Sequence, residues 1–150
     1  MNMKTIFDKA TRDELIDRIK NLDDTSEPNW GKMNVYQMLK HCILADEMYL
    51  GRKAYDRAFI GRLLGRIALK ALTKDESPMR KNAPTSADFK VMESQGDVIA
   101  ERNKWAALLE HYANFDNADF EHWFFGKMTR EQVGILAYKH ADHHLRQFGK

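Results

Sequence analysis

K-H-A-D-H-H-L-R-Q-F-G-K, residues 139–150, closes the chain and holds three of its six histidines within five positions. At about 100° per residue, His140 and His144 lie one helical turn apart on one face. Val133, Leu136 and Ala137 fall on the same face, so it should look inward. Two imidazoles aimed into a core are costly without partners. A pair at i and i+4 can chelate one metal ion, which supplies the partner. His140 with His143 is the alternative pair, at i and i+3. His143 lies toward the flank of the apolar face, so His144 is the expected partner of His140. Gln147 falls near that face too, within reach of a ligand imidazole or a bound water.

Upstream, Thr129 and Gln132 form a capping box that opens this last helix at Arg130. Thr11 and Glu14 form a second such box, followed by Leu15, Ile16, Ile19 and Leu22 at helical spacing. They predict a first helix over residues 12–22. Asn34, with Gln37 three residues on, starts a helix over residues 35–50 whose apolar stripe is Val35, Met38, Leu39, Cys42, Ala45 and Tyr49. His41 sits on the flank of that stripe. Taken alone it is most simply a semi-buried or surface histidine, and the inward pair on the last helix is what makes it a candidate third ligand. Trp30 is expected to anchor the preceding loop onto the core. A third long helix is expected from residue 92 or 94 to 112, with Val98, Trp105, Leu108, Leu109 and Tyr112 inward. His111 near its end and His122 in the aromatic loop 115–127 are assigned no chemistry, and no strand is expected.

Between the second and third long helices lies an unusual segment. Residues 57–72 contain no acid, and Arg62, Arg66 and Lys70 recur every four positions, surrounded by Phe59, Ile60, Leu63, Leu64, Ile67, Leu69 and Leu72. The surrounding stretch 52–81 carries nine basic and three acidic residues, a local +6 in a chain of net charge +2. A basic amphipathic helix can lie on a membrane or dock on an acidic partner. The plainer expectation is a connector helix packed on the body, or at a subunit contact, with its cationic edge in water. Its apolar surplus makes a homodimer an expectation. Residues 73–88, with Pro78, Pro84 and Asn82, read as an extended crossover.

Length and composition set the class. With 150 residues, 43% hydrophobic and 31% charged, the chain suits one globular domain, residues 1–150. The start M-N-M-K-T-I-F-D-K-A-T has no signal-peptide run, and no segment has the length of a membrane span, so a cytoplasmic protein without stable membrane insertion is expected. Cys42 is the single cysteine, which excludes an internal disulfide and a cysteine-rich zinc knuckle. The modest overall charge gives no reason to expect nucleic-acid binding. The expected fold is all-α: an up-down-up-down four-helix bundle with the basic helical segment inserted between helices two and three. In such bundles metal sites are built from side chains on facing helices. His41, His140 and His144 would leave coordination positions open, as catalytic sites do.

The run G-K-M-T-R-E-Q-V-G-I-L-A-Y-K-H-A-D-H-H-L-R-Q-F-G resembles the signature of the DUF1569 family, within the DinB-like (YfiT-like) metalloenzyme superfamily. W-G-K-M-N-V-Y-Q-M-L-K-H-C, ending at Cys42, is similar to that family's second-helix motif, and K-N-A-P-T at residues 81–85 fits as well. The resemblance implies a four-helix bundle holding a divalent ion, typically zinc or nickel, through His41, His140 and His144. It also implies a small-molecule substrate. Some DinB-like relatives are transferases or isomerases that use low-molecular-weight thiols such as bacillithiol or mycothiol, whereas DUF1569 has no established activity. Three functions are therefore weighed: a metal-dependent enzyme, by thiol transfer or hydrolysis; a non-catalytic metal-binding stress-response protein; and a binding module using residues 52–81. No carboxylate stands out as a catalytic base, since Asp46, Glu47 and Asp142 do not fall clearly on the metal face.

Overall fold

The computed structural model describes residues 2–150. Among them are five α-helices: α1 (Lys9–Lys20), α2 (Val35–Tyr49), α3 (Phe59–Leu72), α4 (Val98–Glu110) and α5 (Arg130–Gln147). The chain is predominantly helical, with α1 and α2 each packed against both α4 and α5. The core between them is built from Leu15, Ile19, Met38, Leu39, Cys42, Trp105, Leu109, Tyr112, Val133 and Leu145, all fully or almost fully buried.

Local chemistry sets the helix ends. The capping boxes Asn34/Gln37 and Thr129/Gln132 both form, each with reciprocal side-chain and backbone bonds. The expected Thr11/Glu14 box does not. Asp8 caps α1 instead, accepting from the backbone N–H of Thr11 at 3.0 Å and its hydroxyl at 2.9 Å. Helix α1 therefore begins three residues early and ends at Lys20 rather than residue 22. Helix α4 starts at Val98, later than expected, because Asp97 is its cap and accepts from the N–H of Ala100. Ahead of it, Gly96 lies against the ring of Tyr36, where any side chain would collide. A 3₁₀ turn, His111–Asn114, carries the chain on from α4 and keeps Tyr112 in the core.

The aromatic loop is not strand-free. Two-residue strands β1 (Glu121–His122) and β2 (Gly126–Lys127) pair antiparallel. The buried His122 organises their turn, its Nδ1 accepting from the N–H groups of Phe124 and Phe125 at 3.0 and 3.2 Å. Gly126 supplies the φ of +80° that the turn requires.

Helix α3 occupies the predicted place and meets the body by its glycine face. Its buried residues are Gly61, Gly65 and Leu69, and a Cβ on Gly61 would lie 2.5 Å from the carbonyl oxygen of Phe124. The helix thus docks by its smallest residues, backbone against backbone. The helix is packed on the body as expected, but Phe59, Ile60, Leu63, Leu64 and Ile67 are left in solvent. Lys139 of α5 fixes the far end by donating to the carbonyls of Leu72 and Asp75 at 2.7 and 2.8 Å. No helix is long and apolar enough to cross a membrane among the described residues.

Candidate metal centre

Helices α2 and α5 pack side by side, and this contact brings together histidines 99 positions apart. His41, His140 and His144 offer ligand atoms all within 4.8 Å of one another. Ring centroids are 5.1 Å apart for His41–His140, 4.8 Å for His41–His144 and 4.7 Å for His140–His144. By surface exposure His41 and His144 are buried and His140 is intermediate.

Two bonds fix which nitrogens face the centre. The Nδ1–H of His41 donates to the carbonyl of Phe89 at 2.8 Å. The Nδ1–H of His144 donates to Oε1 of Gln147 at 2.8 Å. Gln147 cannot present its amide the other way round, because its Nε2 donates to the carbonyl of Trp30 at 2.8 Å. The Nε2 of each ring is thereby left as a lone pair. Such carbonyl and amide partners are the usual supports of metal-binding histidines, holding tautomer and ring angle together.

Burial first, and then the neighbouring rings, hold these imidazoles neutral. The pKa of His41 is lowered, that of His140 is lowered well below the ordinary value, and that of His144 is brought down to about 3. Neutral rings are the metal-binding form. The Nε2 atoms of His41 and His140 lie 3.1 Å apart. At that distance a neutral His140 can donate its Nε2–H to the His41 lone pair, or the two nitrogens can share one cation. An ion with bonds of about 2.0–2.1 Å sets tetrahedral ligand nitrogens about 3.3 Å apart, so the spacing suits one. Three such imidazoles could hold a metal ion.

The remaining sequence candidates are placed differently. His143 is half-buried outside the cluster, edge-on to Trp30 with ring centroids 5.8 Å apart. The Trp30 ring packs on Lys81, 4.2 Å from its centroid, and on His143 rather than in the hydrophobic core, and it is the Trp30 backbone carbonyl, accepting from Gln147, that ties its loop to the last helix. Asp142 faces α1 rather than the cluster and is paired with Arg18 at 2.8 Å and Arg146 at 2.7 Å. Asp46 is buried in the core, accepting from Trp105 Nε1 at 2.8 Å and the Tyr112 hydroxyl at 2.6 Å. Sequence reasoning left Asp46 unplaced, although it lies four residues after Cys42 and three before Tyr49 on the apolar stripe. Phe89 was missed altogether. Its ring is core, in the short 3₁₀ turn Ala87–Phe89, and its backbone oxygen is the part that reaches His41.

Fold and site together define a helical protein with a largely buried cluster of three neutral histidines. Over residues 1–150 the chain matches the model of a family described as a protein of unknown function, DUF1569. The chain belongs to that family. No match to the chain was found among curated proteins or solved structures.

Proposed function

We propose that this protein is a divalent-metal-dependent enzyme of the DinB-like type, with zinc or nickel held by His41, His140 and His144. The observation that carries the reading is the pair of tethered rings. Both Nδ1–H groups are engaged, by Phe89 and by Gln147, so two Nε2 lone pairs converge beside His140. In the same reading α1, α2, α4 and α5 form the four-helix bundle and α3 is its insertion. The contacts of α1 and α2 with both α4 and α5 support that arrangement.

Thiol transfer is the favoured reaction. A divalent ion at this site would stabilise the thiolate of a low-molecular-weight thiol such as bacillithiol or mycothiol. Among the described residues no carboxylate joins the histidine cluster. A nucleophile that is already acidic, as a thiol is, fits such a site better than one needing a protein base. The chain's own part is to orient the rings through Phe89 and Gln147.

The test is a screen of zinc-loaded and nickel-loaded protein with several cofactor thiols against electrophilic substrates. Metal-dependent consumption of thiol is expected, and it should be lost in His41→Ala. A protein that holds its metal tightly yet transfers no thiol in any combination would favour the non-catalytic metal-binding reading.

A further inference from the structure

The outward face of α3 is the largest feature that the histidine site leaves unused. Its hydrophobic residues point away from the body: Phe59 is 77% exposed, Leu63 62% and Ile67 69%. Ile60 and Leu64 extend the same strip. At about 100° per residue Arg62, Arg66 and Lys70 form a basic edge along one side of it. Among the described residues none of the three is ion-paired. Arg66 does donate to the carbonyl of Lys127. The helix has no acid of its own. Nor is it loosely attached: Gly61 and Gly65 sit on the Phe124–Phe125 backbone, and Lys139 holds its end.

We infer that this face of α3 docks on an anionic membrane surface, its apolar strip entering the acyl boundary and Arg62, Arg66 and Lys70 meeting headgroup phosphates and carboxylates. A strongly amphipathic helix with aromatic and aliphatic residues on one face and basic residues beside it has the chemistry of an in-plane membrane helix. Charge complementarity decides the occupant. A second copy would set two helices together with three cations each and no acid between them.

The test is flotation of the full chain with phosphatidylcholine vesicles, with and without phosphatidylserine. Binding to the mixed vesicles is expected to be roughly a hundredfold stronger than to phosphatidylcholine alone, and to weaken with added salt. The variant Leu63→Glu/Ile67→Glu changes two exposed residues and should lose vesicle binding while keeping its helical circular dichroism. Wild-type protein that does not float with the mixed vesicles would overturn the proposal, as would a double variant that floats as well as wild type. Light scattering run alongside tests the second-copy occupant. A dimer dissolved by Leu63→Glu/Ile67→Glu, without vesicle binding, would assign the face to self-association instead.

Discussion

Gln147 joins two distant parts of the chain through one amide, accepting from His144 Nδ1 and donating to the carbonyl of Trp30, each at 2.8 Å. The loop that carries Trp30 is therefore part of the site's support. It is tied a second time where the N–H of Asn29 donates to the backbone carbonyl of Gln147 at 2.7 Å. Gly31 lies beside the amide with φ +82°, and a Cβ there would come 2.6 Å from Gln147 Nε2.

Replacing Gln147 with Ala should weaken metal affinity by roughly 10–100-fold, the usual cost of losing the partner that orients a ligand imidazole. Gly31→Ala should act in the same direction through the displaced amide. Competition against a chromophoric chelator measures both. Affinity unchanged in Gln147→Ala would remove the amide from the account.

Helix spacing is what made much of this site legible. His140 and His144 are one turn apart on an apolar face, and that pattern survives any detail of packing. His41 was harder, since it lies on the flank of its stripe and gains meaning only when α2 meets α5. The support from Phe89 was not legible, because a backbone carbonyl has no residue-type signature and its approach depends on the crossover's path. The orientation of α3 was not legible for a different reason. Amphipathic spacing says that a helix has two faces but not which one meets the body. The Gly61-x-x-x-Gly65 spacing held that information, since only a glycine face lets the Phe124 backbone come so close.

That close approach predicts a stability effect. Gly65→Val would push α3 off the Phe124–Phe125 backbone and should cost about 1–3 kcal/mol. Urea unfolding gives the loss, and hydrogen exchange should show it concentrated in α3 and the β1–β2 turn. Unaltered stability would contradict the backbone packing described.

Burial lowers the pKa of His41, His122, His140, His143 and His144 below the ordinary histidine value, with His122 brought down to about 3. These groups stay neutral in the fold while the unfolded chain takes up protons near pH 6.5. The stability they contribute is present above that pH and is lost as the pH falls below it, toward about 3 for His122 and His144. Urea midpoints should therefore drop between pH 7.5 and 5, and His122→Phe should make the drop shallower by about one proton's worth. A midpoint that does not move with pH would contradict the neutral, buried rings.

Asp46 has the opposite sign. Burial raises its pKa from 3.8 to about 6, against the lowering effect of its bonds from Tyr112 and Trp105. Its contribution is fully present below pH 3.8 and lost as the pH rises through 6. Relative to Asp46→Asn, the wild type should gain about 1.4 kcal/mol on going from pH 7.5 to 5, one unit below that pKa. Asp46→Ala should cost about 2–5 kcal/mol, because it leaves the Trp105 and Tyr112 donors buried without an acceptor. Parallel urea titrations at the two pH values give both differences. A gap between wild type and Asp46→Asn that stays constant would contradict the raised pKa.

The most direct test of the metal centre is the stoichiometry of zinc or nickel bound by purified, reloaded protein. It should be measured for wild type and for His41→Ala/His144→Ala, with circular dichroism as the check on folding. The account predicts one tightly held ion per wild-type chain and none in the folded double variant. A wild-type protein that retains no divalent ion after reloading, or a double variant that retains it in full, would contradict it.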